Sequence, residues 1–163
     1  MAKKPKVAVI MGSDSDLPVM GETVKVLEAN SIAYEVKILS AHRSPNDVAH
    51  FAKSAKAKGL RVIIAGAGGS AHLAGVIASH TILPVIGVPM ETKELKGIDS
   101  LFSTVQMPSG VPVATVSIGK SGAKNAAILA MQILGLSDKR LEKRLAKLKE
   151  DLAEGIRKKN KKI

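Results

Sequence analysis

Cysteine is absent from the 163 residues, so disulfides, thiolate metal sites and a cysteine nucleophile are excluded, and packing alone must hold the fold. Tryptophan is absent too, and one Tyr and two Phe leave no aromatic platform on which single-stranded bases or a flavin would stack. Apolar runs such as Val62–Ala67 and Leu83–Val88 are far short of the roughly 20 residues a membrane span needs. The opening Met1-Ala2-Lys3-Lys4-Pro5 leads into no signal-peptide pattern. A cytoplasmic protein without a membrane partner is expected, its length that of one domain around one core.

The formal net charge of +11 invites a nucleic-acid reading, so its location matters. From Asp138 to Ile163 there are 11 Lys and Arg against 5 Asp and Glu, placing +6 in the last 26 residues and +5 in the other 137. An excess placed there reads as a solvated helix rather than a nucleic-acid arm.

Lys6–Met11, Arg61–Ala65 and Pro84–Val88 are short, β-branched, nearly continuous apolar runs, as strands buried on both faces should be. Tyr34–Leu39 and Val113–Ile118 alternate with polar residues and read as edge strands. Between them, Leu17, Met20, Val24 and Leu27 share one helix face, and Val48, Phe51, Ala52 and Ala55 another. Such alternation predicts a three-layer α/β/α, flavodoxin-like doubly wound parallel sheet of order 2-1-3-4-5, because each parallel pair needs a crossover. Ser44 is placed as an N-cap with Pro45 at the first helical position, and Gly59 is placed to end that helix. A later helix is predicted over about Ala123–Leu134. An extra C-terminal helix follows from Asp138 to about residue 160, its seam formed by Leu141, Leu145, Leu148, Leu152 and Ile156. Arg157–Lys162 reads as a frayed end. The whole of 1–163 is thus expected to be one catalytic domain with its core over about 6–135.

The unusual loops all follow a strand and precede a helix. They are Gly12–Asp16, Ser40–Pro45, Gly66–His72 and Ser117–Gly122. Open α/β sheets bind ligands outside the carboxyl ends of their strands, near the switch point between the first and third. Ser13, Ser15 and Ser40 offer hydroxyls there and Arg43 a fork for phosphate, so a phosphorylated small molecule is the natural ligand. The seryl loop has a second reading as turn chemistry, and Asp16 one as a helix cap beside that of acceptor for a ribose hydroxyl. His42, between Ser40 and Arg43, is placed for proton transfer. His72 has either a packing or a substrate-orienting role, while His50 and His80 read as structural. Two nucleotide motifs carry little: Gly66–Ala71 fits G-x-G-x-x-G/A with Glu91 about twenty residues on, but after the third strand rather than the first. Gly119-Lys120-Ser121 lacks the glycine a phosphate loop would need at Ala114.

Together MGSDSD (11–16), SAHRSP (40–45), IIAGAGGSAHLAG (63–75), PVIGVP (84–89), DSLFSTVQMPSGVPVATV (99–116) and IGKSGAKNAAILAMQIL (118–134) resemble the PurE family of purine biosynthesis. Within it, Arg43 and the QMPSGVPVATV segment resemble the class I enzymes, which move a carboxylate from the exocyclic nitrogen to carbon 4 of an aminoimidazole ribonucleotide. The animal-type branch, which carboxylates with free CO2, typically has lysine at that position. The resemblance implies an isomerase needing no cofactor and no metal, with CO2 trapped as an intermediate and His42 removing the proton from the ring carbon. It further implies that Ser15, Ser40 and Arg43 hold the phosphate, and Ser13 and Asp16 the phosphate-ribose end. Gly68, Gly69, Ser70, His72 and Leu73 would frame the imidazole and CO2. An octamer with sites at subunit junctions is implied as well, the leucine seam packing on its own core or, preferably, on a neighbour. Ala74 and Val76 stand where the family has proline and methionine, which predicts a looser loop. The competing readings are direct carboxylation and a nucleotide- or RNA-binding module.

Overall fold

The computed structural model describes residues 4–162. The chain divides into two compact units, one up to Ala130 and one from Met131 on.

The first unit is built on β1 (Val7–Met11), β2 (Tyr34–Ile38), β3 (Val62–Ala67), β4 (Val85–Pro89) and β5 (Ala114–Thr115). All pair in parallel in the order β2-β1-β3-β4-β5, the predicted flavodoxin-like order. Register aligns Val9 with Val36 on one side and Ile64 on the other. The central strands β1 and β4 are buried along their whole length, and β2 is half-buried to exposed, as the polar alternation predicts for an edge. Each fully buried branched side chain contributes about 1.5–3 kcal/mol, so this spine is the main source of stability.

Connecting helices are α1 (Leu17–Ala29), α2 (Pro45–Ala55), α3 (Leu73–His80), α4 (Ile98–Val105) and α5 (Gly119–Gly135). Val48, Phe51, Ala52 and Ala55 of α2 and Leu73, Ala74 and Ile77 of α3 cover Ala8, Ile10, Ile63 and Ala65 on one sheet face. Met20 and Leu27 of α1 are fully buried, and Thr23 ties α1 to α5 by donating to the Ala123 carbonyl at 2.8 Å. Leu17, expected on the buried face, is instead 52% exposed and Thr23 takes the inward place. Gly59 ends α2 as predicted, at φ +96°, and the Leu60 N–H returns to the Ala55 carbonyl.

Three expectations need correction. Ser44 sits at the N-cap of α2, but its hydroxyl does not cap the helix. It accepts from the Ser40 N–H at 3.1 Å and donates to the Ser40 carbonyl, so it ties the preceding turn. The fifth strand is two residues rather than six, and α5 starts at Gly119 rather than Ala123. A close turn explains both: Gly119 is at φ +73°, and Gly122 lies so tight on the Ser117 carbonyl that no side chain fits. Helix α4 was not expected at all, because it is inverted, burying Ser100 and Thr104 while Ile98, Phe102 and Val105 are exposed.

The second unit contains the end of α5 and α6 (Lys139–Asn160). Asp138 caps α6, accepting from the amides of Arg140 and Leu141. The seam grades from buried Leu141 to exposed Leu152 and Ile156. Arg157–Asn160, expected to fray, is helical. The Glu154–Lys158 pair at 2.9 Å and the favourable placing of cations at a helix carboxyl end both support that last turn. Among the described residues no helix is long and apolar enough to cross a membrane.

The glycines give a paired test. Gly122→Ala drives a methyl into the Ser117 backbone and should destabilise by about 3 kcal/mol in urea unfolding. Gly21→Ala, inside α1 with open space around it, should stabilise by about 0.5–1 kcal/mol. Equal effects of the two would refute this packing.

Candidate active site

Parallel pairing sends the carboxyl ends of β1 to β4 to one edge of the sheet, where their loops surround a cleft of about 510 Å³. Of the residues singled out in the sequence, Ser13, Ser15, Asp16, Ser40, His42, Arg43, Gly68, Ser70, His72 and Leu73 line it. Gly69 does not, because its amide turns away to the Ser100 hydroxyl at 2.9 Å. The Ser117–Gly122 loop, expected in the crevice, is likewise absent from the lining, since the sheet edge turns there into α5. His50 and His80 are outside it.

The first loop leaves β1 with the Gly12 N–H still bonded to the Gly66 carbonyl and then tightens into a single 3-10 turn over Asp14–Asp16. Ser13 donates to Asp14 at 3.0 Å, and its oxygen and that of Asp14 both accept from the Ser15 amide. Asp16 precedes α1 without capping it, which leaves its carboxylate directed to the cleft rather than spent on the helix. Burial raises its pKa above the ordinary aspartate value, the charge of Asp14 adds to this, and backbone amides at Ser13 and Gly12 and the Ser15 hydroxyl act against it.

The second loop is a tight turn in which the Ser40 hydroxyl accepts from both the amide and Nε of Arg43, at 3.1 and 3.3 Å. With its acceptor side occupied, Ser40 keeps its own proton for a ligand. The Arg43 guanidinium reaches across to the Gly12 carbonyl at 2.8 Å, joining the first and second loops and leaving further N–H groups for an anion.

The third loop brings in the contact that spacing could not reveal. His42 Nε2 lies 2.8 Å from His72 Nδ1, and the rings meet edge to face with centroids 5.0 Å apart. One imidazole must carry the bridging proton and the other must present a lone pair, so the pair is arranged to hold and pass a proton. At the end of β3, Gly66 is closed in by Met20 Sδ and Met90 Cε, each 2.5 Å from where a Cβ would stand. The first glycine of the apparent dinucleotide fingerprint therefore serves methionine packing. Met90 and Glu91 also line the cleft, although the residue reading gave Met90 no part and Glu91 only the fingerprint role. Their position directly after β4 is the signal that would have found them.

Fold and cleft define a flavodoxin-like α/β enzyme with its site at the switch point of the sheet. A family model described as AIR carboxylase matches residues 6–155. The N5-carboxyaminoimidazole ribonucleotide mutase of Pyrococcus horikoshii is 52% identical over 162 residues, covering 99% of this chain and 90% of that one. The mutase of Bacillus subtilis is 50% identical over 153 residues, covering 94% of each chain. The crystal structure of Treponema denticola PurE superimposes with a TM-score of 0.88 at 30% identity, covering 98% of both chains. This chain belongs to the AIR carboxylase family, the PurE family its loop motifs resemble.

Asp16 supplies a pH test. Its folded pKa is raised, so the ionised carboxylate costs folding at neutral pH and the cost vanishes below pH 3.8, its ordinary value. Asp16→Asn should therefore raise Tm at pH 7, with the gain fading as pH falls through the raised pKa. A Tm difference that is independent of pH would contradict the assignment.

Proposed function

We propose that this chain is an N5-carboxyaminoimidazole ribonucleotide mutase of purine biosynthesis, an isomerase that moves the carboxylate from the exocyclic nitrogen to carbon 4. The observation that carries the reading is the bonded His42–His72 pair, set in one cleft with four serines and an arginine. The mutase names of relatives about half identical over nearly the whole chain support it further.

In this reading Ser15, Ser40 and Arg43 grip the phosphate, while Ser13 and Asp16 take the phosphate-ribose end. The substrate N–C bond breaks with its electron pair left on nitrogen, which gains a proton, and CO2 is held in the cleft. Carbon 4 then attacks that CO2, and loss of its proton restores the aromatic ring. One proton is gained at nitrogen and one lost at carbon, so a single imidazole pair balances the reaction without outside acid or base. His42 is the carrier that meets the ring carbon, and His72 is its bonded partner. Gly68, Ser70 and Leu73 frame the ring and the CO2, with Gly69 acting from behind them. A closed site matters because CO2 lost to solvent ends the turnover.

Exposed apolar side chains at Ile82, Phe102 and Leu136 support an assembly of several copies, which we take to be an octamer. A single catalytic domain over 1–163, a cytoplasmic location and a site working without cofactor or metal complete the proposal. Direct carboxylation by free CO2 is the second reading, favoured by the description of the family model.

Purified protein given the N-carboxylated ribonucleotide without bicarbonate should form the C4-carboxylated product; no product would refute the mutase reading. Preferential turnover of aminoimidazole ribonucleotide with CO2 would install the second one. His42→Asn should lower kcat by about 10²–10⁴-fold while KM changes little, because asparagine keeps a hydrogen bond but cannot carry a proton.

A further inference from the structure

Helix α4 buries its hydroxyl side chains. Ser100 is fully buried and Thr104 nearly so, whereas Ile98, Phe102 and Val105 of the same helix are about half exposed. A short amphipathic helix normally turns the other way. The inward Ser100 hydroxyl has a specific use: it accepts from the Gly69 N–H at 2.9 Å, while the Ser103 hydroxyl donates to the Asp99 carbonyl at 2.7 Å and lies 3.3 Å from the Gly69 carbonyl. The amide of one loop residue, held at φ +65°, is thus fixed by the buried face of α4.

The constraint leads directly to the histidine pair. The Gly69 carbonyl also accepts from the Ala71 N–H at 2.8 Å, and the Ser70 carbonyl accepts from the His72 N–H at 2.8 Å, so the backbone from Gly69 to His72 is one short bonded unit. His72 ends that unit and meets His42 through a bond whose length leaves little slack. The frame is itself anchored: Gly97, which precedes α4 at φ +91°, packs against the Met90 carbonyl, and the Thr92 hydroxyl accepts from the Gly97 N–H while donating to Asp99. The phosphate-gripping residues are on the loops after β1 and β2, where α4 makes none of these bonds.

We propose that Ser100 is a positioning residue: it fixes the Gly69 peptide and thereby sets the His72 imidazole at hydrogen-bond distance from His42. It touches neither the cleft nor the substrate. Without the Ser100 oxygen, the partly buried Gly69 amide loses its partner, and the loop relaxes to regain one. Misplacement of a catalytic group by about 1 Å costs up to about 100-fold in rate.

The kinetic arm of the test rests on the mutase reading, and a second arm does not. S100A should lower kcat by about 10- to 100-fold while KM and the affinity for ribose 5-phosphate stay within about twofold. S100C, which keeps a weak acceptor at the same place, should recover part of the loss. T23A removes an equally buried hydroxyl bond far from the loop and should keep kcat near wild type despite a similar fall in Tm. Wild-type kcat in S100A, or a loss that T23A matches, overturns the proposal. Independently, protein labelled with 15N in histidine should show a 15N–15N coupling across the His42–His72 bond that S100A abolishes and T23A retains. A coupling that survives in S100A, or is missing from the wild type, overturns the proposal even if no ribonucleotide is turned over. Absence of turnover in the wild type with the coupling pattern as expected would instead remove the mutase reading alone.

Discussion

The bond between His42 and His72 is the contact on which the arrangement of the cleft depends, because it joins loops from two strands that are not neighbours. In the sheet order β2-β1-β3, the loops after β2 and β3 leave strands on either side of β1, and the two imidazoles join those loops at 2.8 Å. Arg43 adds the complementary tie from the second loop back to the first through the Gly12 carbonyl. Three loops that leave the sheet separately are therefore held at one spacing. An imidazole pair can do proton chemistry only if that spacing is maintained, since a hydrogen bond weakens quickly with distance and angle.

Packing at the end of β3 and behind its loop helps keep this spacing. A methyl at Gly66 would have to displace the ends of Met20 and Met90, so the end of β3 is packed against flexible sulfur side chains that fill the space closely. Behind the glycine loop stands α4 with its buried serines. Ala74, expected in a loosened loop, is instead buried in the first turn of α3, and the Gly68–His72 loop before it is tied from outside by the Gly69–Ser100 hydrogen bond. Asp16 fits the same pattern: its carboxylate is kept partly buried and unused by the helix, at a cost to stability.

Much of this was legible in the sequence. Buried runs such as Arg61–Ala65 gave the central strands, the polar alternation of Tyr34–Leu39 gave an edge, and the rule of strand carboxyl ends put His42, Arg43 and the serines in one crevice. What stayed hidden depended on tertiary pairing. Nothing in a separation of thirty residues says that two imidazoles meet, and α4 escaped because its apolar residues face outward while the informative ones are plain serines. Gly69 misled for a related reason: a glycine in a ligand loop suggests approach to a ring, but here the same freedom serves a positive φ and a bond to the helix behind it. The Arg157–Asn160 turn was judged by composition, whereas charge placement at a helix end decided it.

The central claim is that the carboxylate migrates within this cleft, released and recaptured beside the histidine pair. Its most direct test is a turnover of N-carboxylated ribonucleotide bearing a 13C-carboxylate in a large excess of unlabelled bicarbonate. The account predicts that nearly every C4-carboxylated product molecule retains the label. Product labelled only to the level of the solution pool would contradict it and would mean that CO2 enters from outside.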